Sequence, residues 1–75
     1  MSKTYMVVQT HSYDGESVDE VKMLDGPFYK KEEAMSAFKK FADEYEGYDD
    51  ASVDDDHVVH YDGQGGIINI LIMEF

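Results

Sequence analysis

Cysteine is absent from this 75-residue sequence, which excludes a disulfide framework and a zinc site built on thiolates. Arginine is absent too, so all six basic residues are lysines, and they stand against 17 acidic residues for a net charge of −11. Nucleic-acid-binding surfaces gain most of their affinity from basic side chains that neutralise phosphates. The charge balance therefore argues against direct nucleic-acid binding and favours a partner with a basic surface.

Long apolar runs are also lacking. None approaches the roughly 20 residues that a membrane helix needs, and the N-terminus shows no basic segment followed by an apolar stretch. We therefore expect no membrane association and a cytoplasmic location. The length and the 43% hydrophobic content predict one folded domain over residues 1–75.

Short runs of β-branched and aromatic residues predict four strands. The first covers residues 5–11, and the second covers 18–24 after a turn at Asp14 and Gly15, with Asp25, Gly26 and Pro27 ending it. The third covers 57–61, and the fourth covers 67–75 after the glycine-rich turn 62–66. Because the fourth run is apolar on both faces, it is expected to be a central strand or one covered by a second subunit.

Between these hairpins the hydrophobic period changes. Ala34, Phe38, Phe41 and Tyr45 recur at i, i+4, i+7 and i+11, which predicts an amphipathic helix from Lys31 onward, without a good N-cap and ending near Gly47. The acidic stretch 46–56 is interpreted as a connection with Val53 as its one aliphatic anchor. The predicted fold class is α+β, a four-stranded antiparallel sheet with one helix on one face, in the order β-β-α-β-β.

One face of this predicted sheet stays uncovered by the helix. It is expected to carry Tyr5, Tyr13, Tyr61, Asn69 and surplus Ile and Met side chains. Exposed apolar patches of this kind usually mark interfaces. A homodimer formed through this face is therefore one alternative to a monomer.

No catalytic machinery or dedicated metal site is recognisable, so we predict a non-enzymatic protein without a cofactor. His57 and His60 would lie on opposite faces of a strand, which disfavours a shared metal site. A calcium loop starting at Asp50 would need glycine where Asp55 stands and glutamate where Tyr61 stands. The glycines of 62–66 lead into a strand and lack the lysine of a nucleotide-binding loop.

The acidic residues are clustered, and this concentration is the strongest functional signal in the sequence. The predicted main contact strip comprises Asp43, Glu44, Glu46, Asp49, Asp50, Asp54, Asp55 and Asp56, with Tyr45 and Tyr48 adding contact area. A second set around the first turn comprises Asp14, Glu16, Asp19 and Glu20. In an extended chain, residues two apart project about 6.6 Å from one another, on the order of the spacing between phosphates on one nucleic-acid strand.

In size and in acid runs such as 44–50 and 53–56, the chain resembles the small acidic DNA-mimic inhibitors encoded by phages, among them anti-CRISPR and anti-restriction proteins. The resemblance concerns composition and architecture, without a family motif. It implies an inhibitor that occupies the basic surface of a host nucleic-acid-binding protein. Three alternatives stay open: a small homodimeric interaction module whose acids only confer solubility, a metal-binding protein that uses the histidines, and an acidic surface that reflects a salt-tolerant organism.

Overall fold

In the computed structural model of the chain, which describes residues 3–75, five strands and one helix follow one another in the order β-β-α-β-β-β. The elements are β1 (Tyr5–Ser12), β2 (Glu20–Phe28), α1 (Lys31–Asp43), β3 (Ala51–Val53), β4 (His57–Tyr61) and β5 (Ile67–Glu74).

All strands belong to one antiparallel sheet with the spatial order β2-β1-β5-β4-β3. The predicted α+β class with one helix and an antiparallel sheet is confirmed, but the predicted number of four strands is wrong. β5 lies in the middle of the sheet between β1 and β4. Its apolar side chains on both faces follow from that central position.

The additional strand is β3, in the segment interpreted from sequence as a connection. Ala51 pairs with His60 and Val53 with Val58, so the acidic stretch returns along the edge of β4. Val53 packs against the core as the predicted anchor. Because acidic residues flank these three residues on both sides, the sequence shows no clear strand pattern here. The segment forms a strand because it pairs with β4.

β2 begins at Glu20 and continues to Phe28, beyond the predicted end at Asp25. It is an edge strand, and proline is tolerated there because one side of the strand needs no hydrogen-bonded partner. Two register shifts opposite Val7 accommodate the extra residues. The turn signal at 25–27 therefore marks an irregular strand rather than its end.

α1 buries Ala34, Ala37, Phe38 and Ala42 against the sheet. Phe38 contributes to one core with Val7, Val58 and Ile70 from β1, β4 and β5. The start at Lys30 has no side-chain cap, as predicted. The helix ends at Asp43, earlier than predicted, and the following turns to Gly47 are closed by i→i−3 hydrogen bonds from the amides of Glu44, Tyr45 and Glu46.

The helix covers one face of the sheet, and the molecule is accordingly only 14 Å thick along its shortest axis. Asn69 and Tyr61 lie on the uncovered face, as predicted, since Asn69 alternates with the buried Ile70 and Tyr61 pairs with Ile67. Tyr5 instead lies on the helix side, in a cleft that includes Lys31, and Tyr13 lies in the turn after β1 rather than on a strand of the sheet. In residues 3–75, no helix has the length and apolarity required to cross a membrane.

Candidate acidic binding site

A groove runs between α1 and the edge of the sheet formed by β3. Its floor is apolar, with Met35, Phe38 and Ala42 from the helix and Val53 from β3. Its rim carries four of the predicted acidic residues, Asp43, Glu46, Asp54 and Asp55. The volume of about 440 Å³ is large enough to admit a Lys or Arg side chain. We refer to this feature as the acidic groove.

The acidic groove exists because β3 brings two distant parts of the chain together. Asp43 is the last residue of α1 and Glu46 lies in the turns after it, whereas Asp54 and Asp55 lie in the turn after β3. An adjoining cleft lined by Lys31, Met35 and Val53 extends the rim to Asp56. All five carboxylate residues are exposed. The predicted main strip is thus partly assembled into a concave site.

Few positive charges compensate these acids. Lys31 and Lys39 lie along the groove, but within residues 3–75 the one Lys–carboxylate ion pair closer than 4.0 Å joins Lys3 to Glu74, at 2.8 Å. The rim carboxylates therefore repel one another without contact neutralisation, which lowers the stability of the isolated chain. A bound cationic group would relieve this repulsion.

The two tyrosines of the predicted main strip form an aromatic cluster with His60 beside the groove. His60 packs against Tyr45 and Tyr48 with ring centroids 5.1 and 5.7 Å away, and the two tyrosines are 5.5 Å apart. The His60 Nε2 atom lies 3.3 Å from Asp50 Oδ1. Burial raises the pKa of the Tyr45 hydroxyl, which keeps it neutral. Asp50 is therefore engaged by His60, whereas the exposed Glu44 and Asp49 lie on the outer side of this turn.

The second predicted set has largely local structural roles. The amides of Glu16 and Ser17 donate to Asp14 Oδ1, and these hydrogen bonds hold the pKa of Asp14 below its usual range. Asp19 accepts the amide of Tyr13 at 2.8 Å. Glu20 accepts the Tyr13 hydroxyl, an interaction that raises the pKa of Tyr13. These carboxylates stabilise the first hairpin.

The predicted regular spacing of carboxylates is wrong. Residues 14 and 16 lie in the β1–β2 turn, and residues 54 and 56 lie in the β3–β4 turn, so neither pair is part of an extended strand. The two predicted sets also do not share one edge, because Glu20 belongs to β2 and the groove follows β3 at the opposite edge. Four strand spacings separate these edges, or about 19 Å.

The groove residues outside the predicted site are Met35, Ser36, Phe38, Lys39, Ala42 and Val53. Four of them carried a sequence signal, because Phe38 belongs to the predicted apolar stripe of the helix, Met35 and Ala42 widen that stripe, and Val53 is the predicted anchor of the acidic stretch. Their position beside the acids depends on the unpredicted strand β3.

The histidines do not form a metal site in the described part of the chain. His60 packs against Tyr45 on the helix side, and His57 bonds to Asn69 on the other face at 2.8 Å, as the strand period predicted. Across residues 3–75, no group of three or more His, Asp or Glu side chains could hold a metal ion.

Asp62 has a structural role that the sequence analysis did not assign. Its Oδ1 atom accepts the amides of Gln64 and Gly66 at 2.7 and 2.9 Å, and its Oδ2 atom lies 3.2 Å from His11 Nε2. The backbone hydrogen bond from Gln64, followed by the bond from His11, holds the pKa of Asp62 below its usual range. The charged carboxylate therefore organises the β4–β5 turn and ties it to β1.

We expect Asp62→Asn to destabilise the protein in a pH-dependent way. A carboxylate whose pKa is lower in the folded state contributes stability above its unfolded pKa of about 3.9, and this contribution disappears as pH falls through the folded pKa. The difference in urea midpoint between native and variant protein should be largest near neutral pH and should close below about pH 3.

Glu16→Gln is the control for this measurement, since it removes one exposed charge from the neighbouring hairpin turn. The difference in urea midpoint between Glu16→Gln and the native protein should not disappear at acidic pH in the same way. An Asp62→Asn difference that stayed constant from neutral pH to pH 3 would show that the charge of Asp62 does not stabilise the turn.

Comparison of the chain with protein-family models, curated proteins and solved structures gave no match.

Proposed function

We propose that this chain is a non-enzymatic inhibitor that binds the basic surface of a nucleic-acid-binding protein through the acidic groove. The observation that supports the proposal is the convergence of Asp43, Glu46, Asp54 and Asp55 around an apolar floor. Phosphate mimicry then arises from the clustering of negative charge in a concave site, rather than from regularly spaced side chains along a strand.

The aliphatic stem and the charged head of a lysine or arginine side chain both fit this groove. Their aliphatic stems pack on apolar surface while the charged head remains at a polar rim. Met35, Ala42 and Val53 offer the apolar surface, and the rim carboxylates accept hydrogen bonds from the charged head. A basic surface occupied in this way is no longer accessible to phosphates.

The net charge supports the same function at longer range. A chain at −11 is attracted to a basic surface before contact, and such steering weakens as salt rises. The proposed target is a host protein of a defence system, encountered in the cytoplasm. Inhibition is stoichiometric, because the chain occupies the surface and performs no reaction.

The test is a comparison of three immobilised proteins as baits for a bacterial lysate, read by mass spectrometry. The groove variant carries Asp43→Asn, Asp54→Asn and Asp55→Asn. The control variant carries Asp25→Asn, Glu32→Gln and Glu33→Gln, which remove three exposed charges away from the groove. Each bait is tested at about 50 mM and about 500 mM NaCl.

Native and control baits are expected to retain the same nucleic-acid-binding protein. The groove variant is expected to capture at least about tenfold less of that protein. Capture should fall at high salt. The purified target should then lose nucleic-acid binding when the native chain is added in equimolar amount. Equal capture by the groove variant, or no basic partner at either salt concentration, would contradict the proposal and leave the acids a solubilising role.

A further inference from the structure

Among residues 3–75, the face of the sheet that points away from α1 carries no acidic or lysine side chain. Cross-strand pairing orders its residues in rows, and the two central rows are Met23, Val8, Leu71 and His57, followed by Val21, Thr10, Asn69, Val59 and Ser52. The flanking rows are Met6 with Met73, and Ser12 with Ile67 and Tyr61. We refer to these residues as the open face.

The two polar side chains nearest the centre of the open face, His57 and Asn69, contact each other within one chain. His57 Nε2 and Asn69 Oδ1 are bonded to each other at 2.8 Å. Val8 is only 1% exposed, although the helix lies on the other side, whereas Val21 and Met23 are 65% and 63% exposed. The open face is thus buried at Val8 on β1, whereas the apolar side chains of β2 are accessible. The central pair already shares one hydrogen bond within the chain.

Charge disfavours some classes of partner at this face. In a chain of net charge −11, the acids are confined to the turns, the helix and the helix side of the sheet. A basic partner would be matched by carboxylates, which the open face lacks, and an anionic lipid surface would be repelled by the chain as a whole. Two copies of an acidic chain can approach closely only where neither presents a carboxylate, and the open face meets this condition.

The available area suffices for such a contact. Strands of eight residues and a spacing of about 4.8 Å give a face of about 500 to 600 Å², after allowance for the short β3 and β4. Two copies packed face to face would bury about 1,000 to 1,200 Å², at the lower end of the range for specific interfaces. Methionine side chains such as Met6, Met23 and Met73 adapt to an opposing surface more readily than branched ones.

We propose that the open face binds a second copy of this chain. The two sheets pack against each other, and both helices face outward. Each chain keeps its acidic groove accessible, since the groove lies on the helix side. The inference is independent of the function proposed for the groove.

Sedimentation of the native chain from about 5 to about 500 μM tests this proposal, with a dimer expected to accumulate as concentration rises. The face variant carries Met23→Glu and Met73→Glu, at positions that are 63% and 38% exposed. The control variant carries Val18→Glu and Tyr29→Glu, which are 59% and 73% exposed and lie outside the strands. Circular dichroism checks that both variants are folded.

The face variant is expected to weaken dimerisation at least about tenfold, because like charges meet in the interface, while the control variant retains most of it. Raising NaCl from about 50 to about 500 mM should strengthen the dimer, since repulsion between acidic chains is screened and apolar contact remains. Groove binding has the opposite salt dependence, so failure of one proposal is distinguishable from failure of the other.

Three results would overturn the proposal. The first is a native chain that stays monomeric up to the highest concentration. The second is equal dimerisation of native, face and control proteins. The third is a monomeric native chain whose open face instead binds an unrelated protein or a lipid vesicle.

Discussion

Phe38→Ala is expected to cost about 3 to 5 kcal/mol of unfolding free energy. Phe38 is 1% exposed and belongs to the core cluster with Val7, Val58 and Ile70, so its removal leaves a cavity between helix and sheet. A chain of this length has a total stability of roughly 4 to 11 kcal/mol. The variant should therefore be marginally folded, with a melting temperature lower by about 12 °C or more, at about 4 to 8 °C per kcal/mol.

Phe41→Ala is the matched control, because Phe41 follows in the same helical stripe but is only partly buried against the core. Its loss of unfolding free energy, measured by urea denaturation, should be clearly smaller than that of Phe38→Ala. Equal losses for the two variants would show that the helix is seated differently on the sheet.

Gly66→Ala is the second substitution with a large expected effect. A Cβ atom at this buried glycine would overlap Asp62 Oδ2 and approach the Ser12 carbonyl oxygen to 2.7 Å. Either β1 or the Asp62 carboxylate would have to move, and the carboxylate holds the turn through Gln64 and Gly66. We expect the free energy of unfolding to fall by about 2 to 3 kcal/mol, which is typical of overpacking in a tight site.

Gly63→Ala in the same turn separates this steric effect from backbone strain. Gly63 has a φ of +83° but no atom within 4 Å of an added Cβ. Its substitution should cost about 1 to 2 kcal/mol, since a residue with a Cβ atom is strained in that conformation. Thermal unfolding of both variants measures the difference, and a Gly66→Ala protein as stable as Gly63→Ala would contradict the packing of β1 on this turn.

The elements that could be predicted from the sequence are those with a clear local pattern of apolar residues. The i, i+4, i+7 spacing of Ala34, Phe38 and Phe41 and the continuous apolar run of β5 are local patterns, and both elements lie where these patterns place them. β2 and β3 have weaker local signals. Pro27 continues a strand because that strand is at the edge, and Ala51 to Val53 become a strand because β4 is beside them.

The same distinction applies to the candidate site. Clustering in the sequence identified Asp43, Glu46, Asp54 and Asp55, but their meeting around one groove depends on β3. The local hydrogen bonds of Asp14 and Asp19 follow from turn chemistry, as these side chains accept amides of the same hairpin. Formal charge alone does not distinguish an acid available to a partner from one engaged in its own turn.

The edges of the sheet have a consequence for the behaviour of the protein at high concentration. An exposed strand edge is a template on which further strands add, and this is the route to fibrils. β3 offers only three residues and is flanked by Asp50 and Asp54, while β2 carries Pro27 and two register shifts. Neither edge accepts a long, regular strand. Carboxylates at the ends of β3 thus disfavour the addition of further strands at this edge, and with it the growth of fibrils.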